Sequence, residues 1–204
     1  MTHRLRMATL VGALALVGSV PASAQVLGGI TYSWSKPAGD FSHQFLSNDS
    51  WIGISIDGQR FISPNTTIGL SLGYNAFYQR TTEALVLPTG TVTGDQYRSM
   101  NIFPIMVTGD LYSKAPGRIQ TYIGLGVGVY YMKQLLEVGT SSLTTSNLIF
   151  GFAPELGFIL NRGARTEIAI FGKYNYPLNA GNFIGDQSGS YQYLSVGLSF
   201  MGRR

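Results

Sequence analysis

The acidic and basic residues that could do chemistry fall on the polar phase of segments in which polar and apolar residues alternate. Asp57, Glu155, Glu167 and Lys173 share that phase, and Asp110 joins them if the phase of its own segment is as we expect. Charges gathered inside a fold must be paired or hydrated, because an isolated buried ion is very costly. We therefore predict an internal charged cluster that acts as a structural polar plug or, alternatively, as a gate or narrow conduction path.

A second candidate for chemistry is His43, the one histidine that follows residue 24, with Asp40, Ser42, Ser47 and Asp49 nearby. A histidine beside a serine could support a lipid hydrolase or acyltransferase, but such catalysis needs a fixed nucleophile–base geometry, and this segment carries no recognisable motif. One histidine and no cysteine give no metal-ligand spacing, and the glycines match no phosphate-binding loop. We expect no enzyme activity, no cofactor and no metal. A lipid-modifying enzyme is the less favoured alternative.

The N-terminus has the three parts of a secretory signal peptide. Two arginines precede an uncharged apolar run over residues 7–20, and the small residues Ala22 and Ala24 mark cleavage before Gln25. A retained anchor helix is the alternative reading, but the apolar run is shorter than the ~20 residues that a bilayer requires. The pattern predicts that the protein is exported.

The predicted organisation is a signal peptide over residues 1–24 and one domain over residues 25–204. Residues 1–24 hold two of the 14 basic residues and none of the 10 acidic ones, so the remainder carries 12 − 10 = +2. No basic patch with interleaved aromatics occurs, and we expect no nucleic-acid partner. Without cysteine, we expect no lipoprotein anchor. Charged residues make up 12% of the chain, against ~25% in soluble domains, which suits strands that face lipid on one side only.

Strict alternation of apolar and polar residues recurs along this domain and predicts β-strands. It runs through residues 29–35, 51–61, 67–79, 122–132, 148–160, 167–176 and 191–200. An eighth segment, 97–111, alternates in opposite phases before and after Pro104, with Met100 and Ile102 on the phase opposite to Ile105. A β-bulge near Pro104 would reconcile the two halves, because proline within a sheet is confined to edges and bulges.

The connections between these segments alternate in length. Long ones span residues 36–50, 80–95, 133–147 and 177–190, and short ones span residues 62–66, 113–118 and 161–165. Four long loops and three short turns over eight strands put both chain ends on the short-turn side. This is the layout of bacterial outer-membrane barrels, which have short periplasmic turns and long extracellular loops.

Aromatic residues gather at the predicted strand ends. Beside the long loops lie Trp34, Trp51, Tyr78, Tyr97, Tyr131, Tyr176 and Tyr191, and at the opposite ends lie Phe61, Tyr112, Tyr122, Phe158 and Phe200. Two girdles of this kind are expected where rings prefer the level of the lipid headgroups. A general preference of aromatics for strands is the alternative, and it would explain their number but not their position.

A sheet in hydrocarbon must close on itself, because backbone groups at an open edge would lack partners there. A soluble β-barrel or sandwich is the alternative, but it would turn its apolar face inward and its polar face toward water. Here the polar face is mostly Gly, Ser, Thr and Asn, with few charges. We therefore predict an all-β fold, an eight-stranded antiparallel up-and-down transmembrane barrel whose narrow interior is filled by its own side chains.

Two stretches carry a family resemblance, the Tyr-rich, Gly-alternating segment 122–131 and the Lys-Tyr-Asn-Tyr sequence at 173–176. In these the chain resembles the small outer-membrane β-barrel domain family, the porin-like group with OmpA-, OmpX- and opacity-type barrels. The final strand resembles the family's terminal assembly signal, carried by Tyr193, Leu194, Val196, Leu198 and Phe200. Residues 201–204 follow, whereas the family typically stops at the aromatic residue. The resemblance implies a Gram-negative outer-membrane location, with membrane lipid and the assembly machinery as partners.

Two functions remain open at this point. The first is a structural or surface-interaction role, in which the long loops contact a host, a matrix or neighbouring cells. Apolar residues within 41–45 and 85–87 are expected to be exposed for that purpose. The second is a narrow channel for small or hydrophobic solutes. We expect a monomer, and the sequence names neither ligand nor solute.

Overall fold

The structure, a computed structural model, describes residues 26–203 apart from residues 40, 43, 44, 83, 88, 89, 115–118, 163–165, 179–183 and 185–190. The predicted signal peptide and its cleavage site at Ala22, Ala24 and Gln25 therefore lie outside the described residues, as do Asp40 and His43. No helix in the described part of the chain is long and apolar enough to cross a membrane.

The described chain is almost entirely β-strand. The strands are β1 (Val26–Pro37), β2 (Ser50–Ser63), β3 (Thr66–Thr81), β4 (Leu85–Leu87), β5 (Gly90–Val92), β6 (Gln96–Tyr112), β7 (Gln120–Val138), β8 (Ser141–Arg162), β9 (Thr166–Pro177) and β10 (Tyr193–Arg203). Eight of them form a closed barrel in the order β1-β10-β9-β8-β7-β6-β3-β2, and β4 and β5 pair separately within the second long loop. The predicted eight-stranded up-and-down barrel is confirmed.

The barrel closes where the first strand meets the last. β1 and β10 pair antiparallel over an unbroken register from Leu27↔Arg203 to Pro37↔Tyr193. Both terminal strands therefore have a neighbour on each side, which satisfies the backbone groups that an open sheet would leave unpaired in lipid.

The outer face of the barrel is a belt of exposed apolar side chains. Ile56 is 64% exposed and Ile123 is 62% exposed, whereas the alternating residues Thr31 and Ser199 are buried inside. A water-soluble barrel would bury the isoleucines instead. The predicted facing of the strands, apolar side outward, is therefore correct.

The strand that contains Pro104 is regular, so the predicted bulge is wrong. β6 keeps one register with β7 from Gln96↔Val138 to Tyr112↔Tyr122. Its pairing with β3 keeps the same register on either side of the proline, although no pair is formed by Phe103 or Pro104 themselves. Met100 and Ile102 are fully buried on the inward face. The apolar phase changes because the barrel lining changes from apolar near the long loops to polar further down.

The third long loop is not a loop, which corrects the connection expected over residues 133–147. β7 and β8 stay paired up to Val138↔Ser141 and are joined by the turn at Gly139 and Thr140. Gly139 has φ 57°, in the left-handed region that favours glycine at tight turns. The result is a hairpin that continues both strands beyond the barrel wall. The hairpin could not be predicted from the sequence, because the serines and threonines of residues 141–146 do not alternate with apolar residues.

The aromatic girdle is correct at the long-loop end except for Tyr191, and only partly correct at the other end. Trp51, Tyr78, Tyr97 and Tyr131 are exposed beside the long loops, but Tyr191 is buried. At the turn end Phe158 and Phe200 are exposed. The remaining three expected members, Phe61, Tyr112 and Tyr122, pack inside as part of one apolar cluster. Tyr112 and Tyr122 share the inward phase of Asp110 and Gly124 in their strands, a signal that the sequence does contain.

Candidate functional site

The barrel interior has three layers, and the layer nearest the long loops is an apolar plug. Phe41 from the first loop packs edge to face on Phe77 and Tyr191, with ring centroids 5.2 Å and 5.1 Å apart. Phe45 and Leu46 are buried with it. The expectation that residues 41–45 expose apolar side chains is therefore wrong for both phenylalanines, because the apolar barrel mouth takes them in. The side chains at 85–87 lie outside the described residues.

The plug is tied to the barrel wall by a buried arginine. Arg98 is 5% exposed and donates from Nη1 to the carbonyl oxygen of Phe45 at 3.2 Å. Its Nε and Nη2 donate to Oε1 of Gln96 at 3.1 Å and 2.8 Å. Hydrogen bonds to a charged donor are stronger than neutral ones, so this contact holds the first loop in the barrel mouth.

The fourth loop is held in the same manner by Gln134, a buried residue of β7. Its Nε2 donates to the carbonyl oxygen of Ile184 at 3.2 Å, and its Oε1 accepts from the Ile184 backbone N–H at 2.8 Å. Neither Arg98 nor Gln134 was singled out by the sequence reasoning. Both lie on the inward phase next to apolar residues, and that position was the available signal.

The middle layer is polar and contains the predicted charged cluster. Lys173 Nζ lies 2.7 Å from Glu155 Oε2, and these residues are direct partners across β8 and β9. The hydroxyl of Tyr122 donates to the other carboxylate oxygen of Glu155 at 2.6 Å. The structure therefore joins two of the residues that alternation had placed in the interior, and adds a tyrosine that sequence reasoning had assigned to the girdle.

The remaining carboxylates of the cluster are held by polar neighbours. Asp110, which is buried, accepts from Gln59 Nε2 at 2.6 Å and from the Thr67 hydroxyl at 3.3 Å. Asp57 accepts from the hydroxyls of Thr31 and Ser55 at 2.7 Å and 2.9 Å. Each carboxylate is thus supplied with donors, as buried polar groups require.

Glu167, the last predicted member, lies deeper toward the turn end. It is 4% exposed and lines a small cavity with Asp110, Tyr112 and Tyr122. The four residues of the predicted cluster therefore all face the interior, but Glu167 belongs to the boundary with the third layer rather than to the ion pair.

A small chamber lies beside the ion pair. It has a volume of about 50 Å³ and is lined by Lys173, Glu155 and Asp110 together with serine, threonine and asparagine side chains. A water molecule occupies roughly 10–15 Å³ on this measure, so the chamber has room for about three to five. The chamber therefore leaves room for water beside the charges.

A network of neutral polar side chains separates this chamber from the plug. The hydroxyls of Ser35 and Ser195 lie 2.8 Å apart, and Ser35 also donates to Asn75 Oδ1 at 3.1 Å. Asn175 Nδ2 donates to Ser195 at 3.1 Å and its Oδ1 accepts from Tyr130 at 3.3 Å. Sequence reasoning placed these residues inside but could not pair them, since they come from distant strands.

The third layer, at the turn end, is apolar again. It consists of Tyr112, Tyr122, Ile159, Ala169 and Phe171, with Phe61 packed against them. Tyr122 fits over Gly157, where a Cβ atom would lie 2.5 Å from its ring. The large rings thus use the space left by glycine, and the polar layer is bounded by packed side chains at both ends.

The predicted histidine site gains no support from its described neighbours. Ser42 donates its hydroxyl to the Gly39 carbonyl oxygen at 2.8 Å, and the Ser47 hydroxyl donates to Gln79 at 3.3 Å. Among the residues described, no group of His, Cys, Asp or Glu could hold a metal ion. His43 itself lies outside them, so the absence of enzyme activity stays a prediction.

The predicted assembly signal lies on the last strand with the expected facing. Leu194, Val196, Leu198 and Phe200 are exposed toward lipid, and Tyr193 is fully buried in the interior. Tyr193 contacts Phe77, with ring centroids 5.6 Å apart. Its reading by the assembly machinery stays a prediction.

Comparison with solved structures agrees with this architecture. Neisserial surface protein A matches with a TM-score of 0.51 at 10% identity, covering 88% of this chain and 96% of that one. The fold is that of the small outer-membrane β-barrels. OprG from Pseudomonas aeruginosa matches with a TM-score of 0.49 at 12% identity, covering 88% of this chain and 93% of that one. Ail of Yersinia pestis, solved with the heparin analogue sucrose octasulfate, matches with 0.45 at 12%, covering 87% and 97%.

No family model and no curated protein matches the sequence. The match to Neisserial surface protein A therefore agrees with the barrel fold, and the membrane location follows from combining that fold with the exposed apolar belt. A closed barrel with that belt buries its isoleucines and leucines only in a bilayer. The chain is a membrane-embedded β-barrel with the fold of the small outer-membrane barrels.

Proposed function

We propose that this protein is a non-conducting surface-interaction barrel and that the β7–β8 hairpin is its main contact element. The barrel interior supports the first half of the proposal. Packed apolar layers lie at both ends of a chamber of about 50 Å³, so little space is left for a solute path. An eight-stranded barrel has room for its own side chains and little else.

The shape of the hairpin supports the second half and is the observation that carries it. β8 begins at Ser141, but its pairing with β9 begins only at Gly151↔Pro177. Among the residues that the structure describes, 141–149 pair with β7 and with no second strand, whereas the Phe150 carbonyl oxygen accepts from the Leu178 N–H at 2.9 Å. A strand that has a strand neighbour on one side can accept an extended segment of another protein on its other side through backbone hydrogen bonds. Its serines and threonines carry no charge that would oppose this pairing.

Shortening the hairpin is the experiment that tests the proposal. Deleting residues 135–138 and 141–144 removes four strand pairs and leaves Gln134↔Thr145 next to the turn, with the register unchanged. We expect cells that carry the wild-type protein to attach several-fold better than cells without it to plates coated with an extracellular-matrix mixture. The shortened protein should lose that gain.

The matched control is a deletion of the eight residues 85–92, and it removes the β4–β5 ribbon from the neighbouring loop. Folding of both variants is checked by the change in gel mobility between unheated and boiled samples. Equal attachment by wild-type and hairpin-shortened cells, or equal loss in both variants, would overturn the assignment to the hairpin.

The alternative function, a narrow channel for small or hydrophobic solutes, is favoured by one observation. The chamber holds an ion pair that could rearrange, Lys173 with Glu155. We expect no discrete openings when the purified protein is placed in a planar bilayer, because the plug and the turn-end layer stay packed. Openings that disappear in Lys173→Glu or in Glu155→Lys, and return when both changes are combined, would favour the channel instead.

A further inference from the structure

The side of the β8 hairpin segment that faces away from β7 presents a defined set of backbone groups. The Phe150 carbonyl oxygen accepts from the Leu178 N–H, so the backbone groups of Phe150 point to the β9 side. In an antiparallel sheet the backbone groups of successive residues point alternately to one neighbouring strand and to the other. The register with β7 is unbroken from Ser141 to Phe150, so this alternation holds there. The residues whose backbone groups point away from β7 are therefore Ser142, Thr144, Ser146 and Leu148.

This edge of β8, defined by those four residues, lacks the usual protection against pairing. All four are exposed. Natural edge strands avoid pairing with other chains by carrying a lysine or another charge, a proline or a β-bulge. Residues 141–149 contain no charged residue and no proline, and their register shows no bulge. The edge is therefore suited to pair with a strand of another molecule.

We propose that this strand is the same edge of a second copy of the protein, paired antiparallel with Thr144 opposite Thr144 and belonging to a facing membrane. The inference rests on the contact role proposed above for the hairpin. A two-fold interface brings the same surface of both copies together. With Thr144 at the centre, Ser142 of each copy lies opposite Ser146 of the other. The backbone groups of both residues in each of these pairs then point toward each other.

Charge complementarity selects this register. Within each hairpin Glu137 pairs with Ser142 and Lys133 pairs with Ser146, and both charged residues are exposed. With Thr144 at the centre, Glu137 of one copy therefore lies in the same row as Lys133 of the other, on the same face of the joined sheet and about 14 Å apart across three strand spacings. Symmetry gives two such rows. The neighbouring register, one residue further along, would place uncharged side chains opposite both charges.

The direction of β8 determines that the second copy lies in another membrane. β8 begins at Ser141 above the belt and runs to the turn end, so it has the same direction relative to the membrane in every copy. Two strands that pair antiparallel run in opposite directions, and strands of such barrels are tilted by only about 35–45°. Two copies in one membrane cannot meet this condition, whereas copies in two facing membranes can. The hairpin is thus positioned for contact between cells.

Aggregation of vesicles that carry the folded protein tests the pairing. The purified barrel is reconstituted in phosphatidylcholine vesicles, and the vesicle diameter is measured by dynamic light scattering. We expect the wild-type protein to increase the mean diameter several-fold over protein-free vesicles. Thr144→Pro should abolish the increase, because proline removes an N–H that points to the free side and that the pairing with β7 does not use. Thr144→Val keeps this N–H and should aggregate the vesicles as the wild type does.

Exchange of the two charges tests the register. Lys133→Glu and Glu137→Lys each put like charges in both rows. Vesicles of either variant alone should therefore aggregate several-fold less than wild type at low ionic strength, where the Debye length is about 30 Å at 0.01 M. A mixture of the two kinds of vesicle restores opposite charges in both rows, and two fluorescent lipids should then be found in the same aggregates. Folding of each variant is checked by the change in gel mobility on boiling.

Wild-type vesicles that stay separate, or equal aggregation with Thr144→Pro, would overturn the self-pairing. A mixture of Lys133→Glu and Glu137→Lys vesicles that aggregates no more than either variant alone would overturn it as well. A third outcome separates this inference from the proposed function. If wild-type vesicles stay separate while Thr144→Pro abolishes attachment of cells to the coated plates, the edge binds a segment of a different protein. The self-pairing then fails and the contact role of the hairpin stands.

Discussion

Replacing Leu125 by arginine is expected to destabilise the barrel by about 2–4 kcal/mol, the cost of a basic side chain at the middle of a bilayer. Leu125 is 49% exposed on the outer face and lies midway along β7 between Thr121 at the turn end and Tyr131 at the girdle. An arginine there must leave water and has no partner on the lipid face. Urea unfolding of the protein in vesicles, followed by the gel-mobility change on boiling, measures the difference.

The control is the same substitution at Thr121, on the same strand and the same face but next to the turn end. Thr121 is exposed, and near the interface an arginine costs about 0–1 kcal/mol. The comparison separates depth in the membrane from the general effect of arginine on a strand. If Thr121→Arg costs as much as Leu125→Arg, the outer face is not in a bilayer and the belt needs another explanation.

The facing of the strands could be predicted because a β-strand has a period of two residues and a bilayer tolerates almost no error in it. Ile30, Ile56 and Ile123 are therefore assigned to the correct side from sequence alone. Closure follows as well, since hydrocarbon excludes an unpaired edge. The hydrocarbon around the barrel determines both strand facing and closure, so both can be predicted without knowing which strands are neighbours.

Features that depend on which strands are neighbours could not be predicted from the alternation of apolar and polar residues. The change of phase near Pro104 was interpreted as a bulge because a polar lining was assumed along the whole barrel. Phe41 and Phe45 close the barrel mouth, so the lining there is apolar and Met100 can point inward. Alternation predicts which face of the sheet a side chain lies on, but not which side chains it contacts there.

The hairpin of β7 and β8 shows the second limit. Above the membrane neither face of a strand must be apolar, so the period that reveals a membrane strand disappears. Apart from Leu143, residues 141–146 are serines and threonines on both faces, and their pairing with β7 is specified by the continuing register rather than by burial. The partner of Lys173 escaped prediction for a related reason, because its contact with Glu155 depends on the stagger of β8 against β9.

Removing the positive charge of Lys173 is expected to have the second large effect on the free energy of unfolding. Lys173 is the basic residue among those described that line the chamber, where Asp110 and Glu155 carry the opposite charge, and Asp57 joins these three residues in lining a second small cavity. Lys173→Met leaves Glu155 without its partner at 2.7 Å. Loss of one member of a buried ion pair costs about 3–5 kcal/mol, and we expect about 3 kcal/mol because the side chains are 22% and 17% exposed to a hydrated chamber.

Two companion variants distinguish the loss of charge from the loss of packing. Lys173→Arg keeps the cation and should cost about 1 kcal/mol or less, since a charged donor still reaches the carboxylate. The double change Lys173→Met with Glu155→Gln should recover most of the stability lost in Lys173→Met, because no uncompensated carboxylate then remains at this pair. The free energies of unfolding of the wild type, Lys173→Met, Glu155→Gln and the double variant in vesicles give the coupling directly. A coupling near zero would mean that water in the chamber already satisfies Glu155, and the ion pair would then contribute nothing to holding β8 against β9.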